Sequence, residues 1–66
     1  MNQDKMQYRG FEGSVEYDED NHLFHGEILG IKEHICYAGY TPSELMENFI
    51  ESVDNYFVTY LTLEKL

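Results

Sequence analysis

The chain has 66 residues and a formal net charge of −9, from 13 acidic against 4 basic side chains. That length holds one domain, residues 1–66, and the basic residues Lys5, Arg9, Lys32 and Lys65 are scattered, which excludes a phosphate-binding surface and direct nucleic-acid binding. A hydrophobic content of 42% with 15% aromatics excludes a solvated acidic tail.

The opening residues Met1 to Gln7 are polar and lack the apolar stretch of a signal peptide, and no apolar run reaches membrane-spanning length. The single cysteine, Cys36, cannot form an intrachain disulfide, and its strand-like neighbours point to a small packed side chain. A cytoplasmic protein is expected. A chain of this size buries roughly 60% of its unfolded surface, a marginal core. With no disulfide pair and no metal motif to staple it, self-association to a dimer or tetramer is expected.

From Tyr8 to Asp18, Phe11, Gly13, Val15 and Tyr17 alternate with Glu12, Ser14 and Glu16, which predicts a strand over about 8–18. The polar cluster Asp18 to His22 predicts a turn, and Phe24, Gly26 and Ile28 then alternate in a second strand over about 23–29. Placing Tyr17 opposite Phe24 sets Val15 against Gly26 and Gly13 against Ile28, so that a small residue faces a large one twice. Gly30 ends this strand, and Ile35 and Tyr37 alternate with His34 and Cys36 in a third, over about 33–38. Connections this short predict an antiparallel meander.

Thr41-Pro42-Ser43-Glu44 is a helix start: Thr41 as N-cap, Pro42 at the first helical position, and Glu44 three residues after the cap. Over about 42–60, helical spacing gathers Leu45, Met46, Phe49, Ile50, Val53, Tyr56, Phe57, Tyr60 and Leu61 on one side. The predicted class is α+β, a three-stranded antiparallel meander followed by one amphipathic helix (β-β-β-α). The apolar side is wider than one sheet face needs, leaving part of it for another chain.

Carboxylates are abundant, and Glu12, Glu16 and Glu27 share the outer face of the predicted sheet. On the register above, Glu16 lies opposite His25 and Glu27 opposite Ser14, a solvated sheet face rather than the converging carboxylates of a two-metal nuclease. His25, His34 and Cys36 share that face too, but no fourth ligand accompanies them, and a Cys–His nucleophilic pair lacks an oxyanion hole and an orienting group. Asp18, Asp20 and Asn21 fit turn chemistry better than a calcium loop. No metal, cofactor or catalytic activity is expected; the partner-binding candidates, chosen by charge and exposure, are Glu12, Glu16 and Glu27 on the face and Asp18 and Asp20 at the hairpin tip.

Four pieces in order, Tyr8-x-Gly10-x-x-Gly13-Ser14-Val15-Glu16-Tyr17-Asp18, Phe24-His25-Gly26-Glu27-Ile28-Leu29-Gly30-Ile31, Tyr37-x-Gly39-x-Thr41 and Phe49-x-x-Ser52-Val53-Asp54-x-Tyr56, resemble the HicB antitoxin family over nearly the whole chain. The resemblance implies a single HicB-like domain with a partial ribonuclease H-like fold lacking its catalytic carboxylates. It also implies a function: binding and inhibiting a small basic RNA-cleaving toxin of the HicA type, by covering its catalytic histidine and its RNA surface. Many family members continue into a DNA-binding segment, or into a Gly/Pro turn and a further strand, that this sequence does not contain, so operator binding is not expected of this chain. The alternative expectation is an orphan oligomeric module that binds another protein or a ligand and has no toxin partner.

Overall fold

In a computed structural model, which describes residues 5–62, the alternating segments form five antiparallel strands and the capped segment forms one α-helix. The strands are β1 (Lys5–Tyr8), β2 (Phe11–Ser14), β3 (Glu16–Asp18), β4 (Leu23–Leu29) and β5 (Cys36–Gly39). Helix α1 (Pro42–Tyr56) follows, and a π-helical segment, Phe57–Thr62, continues it. The class is α+β as expected, but with five strand segments rather than three. Among the described residues, no helix is long and apolar enough to cross a membrane.

The extra strand precedes the expected first one. Arg9 and Gly10, both at positive φ (55° and 84°), make a two-residue turn that folds β1 back onto β2, pairing Tyr8 with Phe11 and Lys5 with Ser14. Two positive φ values mark a type I′ hairpin turn, which is ordinarily signalled by Asn-Gly or Asp-Gly. Here an arginine occupies the first position, and its side chain is engaged elsewhere. Arg9 Nε lies 3.1 Å from Asp54 Oδ1 on α1, and its guanidinium sits 5.0 Å from the Phe57 ring centre and 5.7 Å from that of Tyr8. Phe11 meets Tyr56 and Phe57 edge-on at 5.5 and 5.9 Å. The hairpin is thus fastened to the end of the helix.

The expected register is the observed one: Tyr17 pairs with Phe24 and Gly13 with Ile28. β2 and β3 lie along one edge of β4 without a shift, interrupted at Ser14 and Val15. The interruption has a visible cause. The Tyr37 hydroxyl donates to the Ser14 carbonyl at 2.8 Å and lies 3.3 Å from the Glu27 carbonyl, while the Glu27 amide donates to Ser14 Oγ at 3.0 Å. Side chains therefore satisfy the backbone groups that a ladder would have used.

This arrangement also explains the glycines, for a reason other than cross-strand size matching. A Cβ at Gly13 would collide with the Tyr37 hydroxyl and the Phe49 ring, and one at Gly26 would collide with the Ser14 carbonyl. The glycines make room for a tyrosine from β5 and a phenylalanine from α1.

β5 pairs with the other edge of β4, Glu27 opposite Cys36 and Phe24 opposite Gly39, and Ile28 N–H adds a bond to Ile35 C=O at 3.0 Å. The strand expected over 33–38 thus starts later and ends one residue further on. Cys36 is exposed, a correction to its expected packing: its parity puts it on the face away from the helix.

The helix starts where its signal placed it. Thr41 Oγ1 accepts the Glu44 amide at 3.1 Å, and Glu44 reaches back to the Tyr40 amide at 2.6 Å, one residue before the cap. Leu45, Phe49 and Val53, spaced by four, are buried with Ile28 and Tyr37 and form the core. Met46, Ile50 and Phe57 pack around them as partly buried neighbours. The α-helical geometry ends at Tyr56, short of the expected residue 60, where the β-branched Val58 and Thr59 follow and no basic residue stands in the last turn. The side chains of Tyr60 and Leu61, expected on the apolar face, lie outside the described residues.

Two predictions test this core. Tyr37→Phe should lower stability by about 1–2 kcal/mol in urea unfolding, because the Ser14 carbonyl loses its donor. Burial pushes the Tyr37 hydroxyl up to about 12. The proton is lost more readily in the unfolded chain, so its contribution is complete below pH about 10 and disappears as pH rises toward about 12. The stability difference between the native chain and Tyr37→Phe should narrow across that window. Gly26→Ala should cost about 2–3 kcal/mol or more by overpacking. Gly30→Ala, with open space but φ of 79°, should cost only about 1 kcal/mol.

Candidate functional site, the uncovered face of the sheet

Because α1 packs on one face only, the opposite face presents the other parity of each strand. It holds Glu12, Ser14, Glu16 and Asp18 from β2 and β3, His25 and Glu27 from β4, and Cys36 from β5. The predicted carboxylates Glu12, Glu16 and Glu27 are thus together on one surface, while Asp18 and Asp20 belong to the hairpin tip.

Their partners differ. Glu12 accepts from Gln7 Nε2 at 3.2 Å across the β1–β2 hairpin. Glu16 Oε1 lies 3.9 Å from Nε2 of His25, its cross-strand neighbour, as the register foretold. Glu27 Oε1 lies 3.3 Å from His34 Nδ1. Glu16 is 69% exposed and His34 79%, against 43% for both Glu27 and His25, so the two pairs are solvent-facing. Surface pairs of this kind contribute little stability. What they provide is a field: a shallow depression of ≈ 210 Å³ between them is lined by Ser14, Glu16, His25, Gly26, Glu27 and Cys36.

Asp18 has a different task from the other four candidates. Its Oδ1 accepts the backbone amides of Asp20 at 3.0 Å and Asn21 at 3.4 Å, and its Oδ2 accepts Asn21 Nδ2 at 2.8 Å. The side chain organises the loop that leads to His22, whose φ is 56°. Asp20, by contrast, is an exposed charge on the loop.

The sulfur and nitrogen donors are grouped differently from the expectation. His25 stands opposite Ala38 and pairs with Glu16, so it is not part of a set with His34 and Cys36. Glu27 takes its place: one donor atom each from Glu27, His34 and Cys36 lies within 4.8 Å of the others. Period-two parity had put all three on one face. Their proximity depends on the β4–β5 register, which the connector between the strands sets.

The hydrogen bond from Asn21, ahead of the Asp20 and Asn21 amides and His25, holds the Asp18 carboxyl below its ordinary value of 3.8. The bonds at the hairpin tip should therefore persist above that pH and be lost as pH falls through the lowered pKa. An NMR titration should find the Asp18 carboxyl titrating below 3.8, and Asp18→Ala should speed amide exchange at Asp20 and Asn21. The chain matches no protein-family model, no curated protein and no solved structure.

Proposed function

We propose that the chain is a HicB-like antitoxin, a cytoplasmic protein that binds and inhibits a small basic RNA-cleaving toxin of the HicA type without chemistry of its own. The observation that carries this reading is the asymmetry of the sheet. One face is sealed by α1, and the other is left to solvent with Glu12, Glu16, Asp18 and Glu27 along it, in a chain of net charge −9. A face of one sign attracts a basic partner and raises its association rate.

The motif resemblance adds weight because its residues have structural work: Gly13, Gly26 and Tyr37 form the packed gap in the sheet, Thr41 caps the helix, and Phe49 and Val53 fill the core. An antiparallel meander closed by a helix on one face is also in keeping with a partial ribonuclease H-like fold.

Self-association belongs to the same proposal. The buried core is small, and an apolar groove of ≈ 290 Å³ runs between sheet and helix, lined by Met6, Val15, Phe24, Pro42, Leu45 and Met46. That groove lies on the helix side and leaves the acidic face available.

The test is binding to a small basic protein of the HicA type, sought first in the gene next to the one for this chain. A complex should form, growth arrest by that protein should be relieved on co-expression, and Glu12→Lys with Glu16→Lys should slow association about tenfold at low salt, less at high salt. Absence of a complex would refute the toxin reading and leave the orphan module. Sedimentation at tens of micromolar should give more than the monomer mass; a strictly monomeric chain would refute self-association.

A further inference from the structure

The exposed cysteine is the oddest placement on the molecule, because cysteine is among the residues most often buried. It packs against no core, and it has no second cysteine to join. Its surroundings supply a use. Cys36 is directly opposite Glu27 across the β4–β5 pair. The Ile28 amide bonds to the Ile35 carbonyl, so the hydrogen-bonded pair is Ile28–Ile35 and Glu27–Cys36 is the non-hydrogen-bonded pair next to it. At such positions side chains come closest, with Cα atoms about 4.5 Å apart. His34, two residues before Cys36, reaches the same point, its Nδ1 already 3.3 Å from Glu27 Oε1.

We propose that Glu27, His34 and Cys36 form a zinc site with three protein ligands and an open fourth position. The donor set, one carboxylate oxygen, one imidazole nitrogen and one sulfur, is what zinc accepts. A tetrahedral zinc at ordinary bond lengths separates its ligand atoms by roughly 3.3–3.8 Å. The three donors lie within 4.8 Å of one another, so small rotations of exposed side chains close the remaining distance. The Glu27 backbone does not have to move, its amide being held by Ser14 Oγ at 3.0 Å. The depression bounded by Ser14, Glu16 and His25 is also lined by Glu27 and Cys36, and its ≈ 210 Å³ has room for a water on the fourth position. An acidic chain adds a favourable field for a divalent cation. An ion pair between Glu27 and His34 alone accounts for two of the three groups; the metal accounts for the thiol as well.

The bound ion would tie the connector before β5 to β4, and its open position could receive a donor atom from a docked molecule. Neither consequence depends on the identity of the partner, so this site stands or falls separately from the antitoxin reading.

The experiment is calorimetric titration of the tag-free full chain with zinc chloride under reducing conditions, with cobalt(II) as a spectroscopic probe. One ion per chain should bind with a dissociation constant on the order of micromolar, and cobalt should show thiolate-to-metal charge-transfer absorption. Cys36→Ser, His34→Ala and Glu27→Gln should each weaken binding about tenfold or more, whereas Glu16→Gln and His25→Ala should leave it within about twofold. Circular dichroism of each variant checks that it folds, which the exposure of His34 and Cys36 and the half-exposure of Glu27 favour. No heat and no cobalt spectrum at about 100 micromolar metal, or binding undiminished in Cys36→Ser, would overturn the site.

Discussion

The hydroxyl of Tyr37, lodged in the gap between β2 and β3, is the contact on which the rest of the molecule depends. Its ring comes from β5, rests beside Gly26, and meets the Phe49 ring of α1 at 5.3 Å and a tilt of 55°, while its hydroxyl donates to the Ser14 carbonyl on the far strand. One side chain therefore joins the edge strand, the central pair and the helix. The arrangement requires that Gly13 and Gly26 have no side chains and that the ladder open at Ser14 and Val15. It also fixes the register, because a shift by one residue would replace glycine by a side chain at both positions and turn every face over.

The consequences run outward to the two faces. Tyr37 and Phe49 set how closely α1 lies on the sheet, and the helix then seals that side with Leu45 and Val53. The same parity that turns Tyr37 inward turns Cys36 outward, and the residue across from Cys36, Glu27, follows it. The acidic surface proposed for partner binding and the donor trio proposed for zinc are thus the reverse side of the packing decisions made in the core. A fold with so few buried residues has little latitude to rearrange one face without the other.

Legibility in the sequence varied with how local the determinant was. The β3–β4 register and the helix start at Thr41 could be read directly, because period-two alternation, turn residues and a capping box act over a few residues. The β1–β2 hairpin could not, since Arg9 at a positive φ has no turn signal of its own; it is held in place by Asp54 and Phe57, 45 and 48 positions along the chain. The role of the glycines was visible as a need for space, but not the identity of the groups that use it. The face that carries Glu12, Glu16, Glu27, His25 and Cys36 followed from parity, whereas the exchange of His25 for Glu27 beside His34 and Cys36 did not.

By itself, then, the sequence determined the α+β class, the faces of the central strands and the point where the helix begins, because alternation and capping are properties of neighbouring residues. Tertiary structure alone decided the register of β5 on β4, the extra hairpin latched to the helix end and the placing of the Tyr37 hydroxyl. The reason is physical: these depend on distances between segments far apart in the chain, set by how Tyr37, Phe49 and two glycines fit together, and no local pattern encodes that fit.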